Sequence, residues 1–113
     1  MKKFVFTVCV GLAIVACNSN KLAIPSQADV DRVAETYPDY TLASLKEGQT
    51  LYLTNCGSCH GLKDPTAKTE EQWKKIVPEM AGMINKHEVK LDAKSEDLIL
   101  KYVTAMCSKP TNK

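Results

Sequence analysis

The sequence predicts a small all-α domain of about four short helices. Three observations carry this. Apolar residues recur at helical spacing, capping residues stand where each such run begins, and no stretch alternates polar and apolar residues as a half-buried strand does. With 113 residues the chain has room for one domain.

The N-terminal stretch belongs to targeting rather than to the fold. Lys2 and Lys3 precede an apolar run from Phe4 to Ala16. That run is too short to span a bilayer and has the shape of a signal-peptide core. It ends at Ile14-Val15-Ala16-Cys17, which resembles a bacterial lipobox. The expected organisation is a signal peptide over residues 1–16, a lipidated tether over 17–25 and a folded domain over 26–110. Lipid on Cys17 would anchor the domain to a membrane without a spanning helix. The expected location is the periplasm or cell envelope, as a membrane-anchored lipoprotein. Losing Lys2 and Lys3 with the leader brings the formal charge of +2 to about zero. A near-neutral domain with no basic patch between aromatics excludes nucleic-acid binding.

The helices follow in order. Ser26 can cap a first helix, with Asp29 and Asp31 near its positive end. Val30, Val33, Ala34 and Tyr37 form one face, and Pro38 ends the helix. Ser44 and Glu47 read as a capping box opening a second helix. Its face is Leu45, Gly48, Tyr52 and Leu53, and a glycine there suits a closely crossing helix. A loop at Gly61–Pro65 leads to a second capping box, Thr69 with Gln72. Trp73, Ile76, Val77 and Met80 form the next apolar face, and Pro78 should kink or end that helix near Val77. Residues 86–93 read as a polar loop. Ser95 caps a last helix whose stripe is Leu98, Ile99, Tyr102, Val103 and Met106, stopped at Lys109-Pro110.

The chemistry sits between the second and third helices, at Cys56-Gly57-Ser58-Cys59-His60. C-x-x-C-H is the attachment signature for covalent c-type haem. Two thiols add across the two vinyl groups, one helical turn apart, and the adjacent imidazole lies under the iron. A thioredoxin-like site would need strands alternating with helices around the motif, and there are none. A zinc cage could draw on Cys56, Cys59, His60 and Cys107 or His87, but it lacks a second spaced pair. One covalent haem c is therefore the expected cofactor. It would give a small domain with few aromatics an apolar plate to pack on. Cys107 reads as a quiet, partly buried thiol.

The order Gly48-x-x-x-Tyr52-x-x-x-Cys56-x-x-Cys59-His60, followed by a last helix with Tyr102-Val103, resembles class I-type monohaem cytochrome c domains. In that family a glycine and an aromatic of the first helix pack on an aromatic of the last. Trp73-x-x-x-Val77-x-x-Met80 is similar to the W-x-x-x-V-x-x-M element of its short members. The resemblance implies a cytochrome c fold, with Cys56, Cys59, His60, Pro65, Trp73 and Met80 around the haem. It makes His60 the proximal ligand, oriented by the carbonyl of Pro65, and favours Met80 as the distal one. Met83 is the alternative, because both methionines follow the proline break. Met106 reads as core and His87 as surface. Trp73 has two readings: core filling, or facing the haem with its indole N–H on a propionate.

A neutral thioether opposite the imidazole favours ferrous iron. The expected function is one-electron transfer between redox donor and acceptor proteins, not enzymatic catalysis. Two alternatives remain at this level. One is a haem enzyme or gas sensor with an open distal site. The other is the haem subunit of a larger redox complex. Lys63, Lys68, Lys74 and Lys75 form either a docking face or a solvated one.

Overall fold

The computed structural model describes residues 22–56, 63–87 and 90–108. They form helices α1 (Gln27–Arg32), α2 (Leu42–Cys56), α3 (Glu70–Ile84) and α4 (Ala93–Cys107), with a 3-10 turn at Pro65–Ala67 before α3. There is no strand among the described residues, and the architecture is the expected all-α one. No helix among them is long and apolar enough to cross a membrane. Cys17, Cys59, His60, the leader and Lys109-Pro110 lie outside the described residues.

Helix α4 is the centre. It packs against α1, α2, α3 and the 3-10 turn, and residues 102–106 are buried without interruption. Its stripe of Leu98, Ile99, Tyr102, Val103 and Met106 is buried as the period predicts. Its cap is not Ser95. Asp92 starts the helix, its Oδ1 accepting from the Ser95 N–H at 2.7 Å, so Ser95 lies in the first turn. A carboxylate there meets both the free N–H groups and the positive end of the helix dipole.

Helix α2 also begins before its expected cap. Thr41 Oγ1 accepts from the Ser44 N–H at 3.1 Å, and the Thr41 carbonyl accepts from the Leu45 N–H at 3.0 Å. Thr41 therefore does the capping, and Ser44 and Glu47 lie inside the helix. Leu45, Gly48 and Tyr52 are buried, but Leu53 is 42% exposed and leaves the expected face. Gly48 sits under α4. A Cβ built there would lie 2.4 Å from the Leu98 carbonyl oxygen and 2.8 Å from Tyr102 Cβ. Only a residue without a side chain permits that approach. It brings Tyr52 and Tyr102 to a ring separation of 5.4 Å.

Helix α1 is shorter than expected. Its ladder ends at Arg32 and gives way to turns at residues 33–36, where the Val33 carbonyl accepts from the N–H groups of Thr36 and Tyr37. Val30 and Val33 are buried but Ala34 is exposed, so little burial extends the helix. It is held instead by a buried charge. Asp29, 1% exposed, accepts from the Ser26 N–H and hydroxyl at 2.9 and 3.0 Å and from Arg32 Nη2 at 2.8 Å. Arg32 donates onward to the Ala105 carbonyl at 2.8 Å and to Ser108 Oγ at 3.2 Å, tying α1 to the end of α4. Burial pushes the Asp29 carboxyl up, but the bonds from Arg32 and Ser26 outweigh it and hold the group below its ordinary range.

Helix α3 carries the expected capping box. Thr69 Oγ1 accepts from the Gln72 N–H at 3.2 Å, and Gln72 Oε1 accepts from the Thr69 N–H at 2.9 Å. The helix then runs through Pro78 to Ile84, where a break near Val77 was expected. The proline ring is exposed, while Trp73, Val77, Ala81 and Ile84 are buried on the opposite face. Burial of that face outweighs the single backbone bond lost to the Lys74 carbonyl.

Candidate functional site

A cavity of about 450 Å³ opens between α2, α3 and α4. Each wall follows from the helix that makes it. Tyr52 and Cys56, one turn apart at the end of α2, form one side. Trp73, Ile76, Val77, Met80, Ala81 and Ile84 of α3 form the other, spaced at the helical period. Ile99 of α4 and Leu91 close it, with Lys63 and Lys68 at the segment between α2 and α3. Leu91 falls within the stretch read as a polar loop, yet it is buried, its N–H bonded to Asn85 Oδ1 at 2.7 Å.

Two side-chain donors fasten the backbone that enters the cavity after the haem-attachment motif. The Tyr52 hydroxyl donates to the Lys63 carbonyl. The Trp73 indole N–H donates to the Pro65 carbonyl at 2.8 Å. Trp73 is 3% exposed and meets Tyr52 edge-on, ring centroids 6.1 Å apart. Pro65 is buried and starts the 3-10 turn, capped by Asp64 Oδ1 accepting from the Thr66 N–H at 2.9 Å. Burial pushes the Tyr52 phenol well above its ordinary value, with the nearby Cys56 thiol and Tyr102 adding to it, so the phenol remains a neutral donor.

Of the residues singled out in the sequence, Cys56, Trp73 and Met80 line this cavity and Pro65 is bonded to its wall. Met83 is 49% exposed and is not among the lining residues. Met106 is core, and His87 is exposed in the turn after α3. Cys107 is half-buried, its thiol donating to the Thr104 carbonyl at 3.2 Å. Burial, then Glu70, pushes that thiol above its ordinary value. Sequence reasoning passed over Ala81, Ile84 and Leu91. The first two continue the Trp73–Val77 period and were legible once the helix passed Pro78. Leu91 is one apolar residue among polar neighbours and gives no periodic signal.

The cytochrome c family model matches residues 45–105, more than half of the chain. The chain belongs to the cytochrome c family. It matches no curated protein and no solved structure. The match runs from Leu45, buried in α2, to Ala105, buried in α4, and so takes in all three helices around the cavity. Cytochromes c hold haem covalently and use it for electron transfer. The residues present fit that group. The cavity is within the usual size range for a cofactor, its lining is mostly apolar, and a thiol-bearing residue of the attachment motif stands in its wall.

Proposed function

We propose that this protein is a one-electron carrier, a membrane-tethered monohaem cytochrome with His60 and Met80 as axial ligands. The observation that carries the reading is that Cys56 and Met80 line one apolar cavity from α2 and α3. Haem in that cavity supplies an iron that cycles between the ferric and ferrous states. Cys56 and Cys59 hold the haem through thioethers, and His60 contributes its Nε2. The Pro65 carbonyl accepts from the Trp73 indole N–H at 2.8 Å and from the Lys68 N–H at 3.4 Å, and the resemblance to the family makes it the carbonyl that would orient the His60 Nδ1–H. Met80, which lines the cavity, would supply the second side-chain ligand. With His60 and Met80 both holding the iron, no position would be left on it for substrate, and the apolar walls would keep water away. The partners are redox donor and acceptor proteins reached from the membrane surface.

Met80→Ala should remove the weak sulfur-to-iron band at the red edge of the oxidised spectrum, lower the potential and let the reduced protein bind carbon monoxide. Met83→Ala should leave all three as they are. A band that survives in Met80→Ala and vanishes in Met83→Ala assigns the other sulfur. Carbon monoxide binding by the unaltered protein would favour an enzyme or sensor with an open site.

Anchoring is supported by the apolar run ending at Ala16 and the cysteine that follows it. Cells fed radiolabelled palmitate should label the protein, and Cys17→Ser should abolish the label and release the protein from membranes. Equal labelling of Cys17→Ser would sink the lipoprotein reading.

A further inference from the structure

We propose that Lys63 and Lys68 are the carboxylate-binding residues of the cavity, so that the haem propionates end at the 3-10 turn these lysines flank. The proposal rests on the electron-carrier reading, because it takes haem as the occupant. Haem is an apolar plate with two carboxylates on one edge. An unpaired carboxylate against an apolar wall is costly, so that edge must meet donors.

The cavity offers few. Besides Cys56, the lining residues with polar side-chain groups are Tyr52, Trp73, Lys63 and Lys68. The phenol and the indole each have one proton to give, and both are spent on backbone carbonyls, those of Lys63 and Pro65. Trp73, the residue whose indole could have met a propionate, is therefore committed elsewhere. The two ammonium groups keep three donors each. Among the described residues neither makes an ion pair, whereas Lys74 is held by Glu70 and Lys101 by Asp97, each at 2.8 Å.

The lysines also share one end of the cavity. Lys63 precedes the 3-10 turn and Lys68 closes it. Trp73 belongs to the same end, since it bonds to Pro65. The far end of α3, at Ile84, is about 16 Å away at 1.5 Å per residue. There the lining is Ile84 and Leu91, both apolar. Neither of those two lining side chains carries a donor.

A cation beside the haem opposes the extra positive charge of ferric iron, so both lysines raise the reduction potential. The test uses the full-length haem-loaded protein and four variants: Lys63→Gln, Lys68→Gln, Lys68→Arg and Lys46→Gln. Lys46 is exposed near the start of α2, ten residues before Cys56. Each of Lys63→Gln and Lys68→Gln should lower the potential and shift the propionate methylene proton resonances of the oxidised protein. Lys68→Arg keeps the charge and should keep the unaltered potential, and Lys46→Gln should move neither readout. Unmoved potentials in the first two variants, or an equal fall in Lys46→Gln, overturn the assignment. A pigment assay of the unaltered protein separates the two readings. Absence of covalent haem there overturns the electron-carrier reading and this proposal with it, while haem with unmoved potentials overturns only the lysines.

Discussion

Gly48 shows how one missing side chain sets the geometry of the core. The atom a Cβ would strike is the backbone carbonyl oxygen of Leu98, which cannot rotate aside. Alanine would raise helix propensity by about 1 kcal/mol, but forcing apart well-packed helices costs typically 1–3 kcal/mol. Gly48→Ala should therefore lower the denaturant midpoint of the haem-loaded protein and disturb the Tyr52–Tyr102 contact. A midpoint equal to or above that of the unaltered protein would show that α4 yields easily. Asp29 makes the same point for charge. A buried carboxylate is tolerable because Ser26 and Arg32 meet both of its oxygens. Its lowered pKa means that its stabilising contribution is present above the ordinary carboxylate value of 3.8 and is lost as pH falls below it.

At the scale of elements, α3 is the instructive case. Proline inside a helix removes a donor and crowds the turn before it, and the sequence at Val77-Pro78 reads as a stop. The helix continues because its buried face runs from Trp73 to Ile84 on the side away from the proline. This continuity decides which methionine faces the cavity. In an unbroken helix Met80 lies seven residues beyond Trp73, two turns along the same face, while Met83 falls at the edge of that face and is exposed. Pro78→Ala restores the N–H for the Lys74 carbonyl without emptying any core space. It should raise stability by about 2 kcal/mol, since proline costs about 3 kcal/mol in a helix interior and part of that is offset by its stiffening of the unfolded chain. A thermal melt checks this. A lower melting temperature would mean that the proline relieves strain elsewhere in α3.

For the whole molecule, the cavity is the dominant fact. Helices α2 and α3 both pack on α4, yet between them they leave about 450 Å³ walled by Trp73, Ile76, Val77 and Ile99. Without an occupant those side chains face water, and a domain of this size has little other core to compensate. Protein made without haem attachment should retain helical signal by circular dichroism but lose a cooperative melt and expose apolar surface to a hydrophobic dye. A sharp, cooperative apoprotein transition would show that the three helices suffice by themselves.

The division between what was readable in the chain and what was not follows from the range of the forces. Helix existence, the Thr69–Gln72 box, the stripe of α4 and the need for Gly48 were legible, because they depend on period and on neighbours within a few residues. The caps at Thr41 and Asp92, each three residues ahead of the expected Ser44 and Ser95, were not. Several capping side chains compete there, and the structure shows that Thr41 and Asp92 make the bonds to the first-turn N–H groups. The passage of α3 through Pro78 was likewise invisible, since burial of the face from Trp73 to Ile84 outweighs a local rule. The sequence by itself determined the attachment motif at Cys56-x-x-Cys59-His60 and the helical frame that leads into it. Only the tertiary structure decided that Met80 and not Met83 lines the cavity, that Trp73 spends its N–H on Pro65, and that Lys63 and Lys68 remain there to meet negative charge. These are contacts between segments distant in the chain, and no local pattern records them.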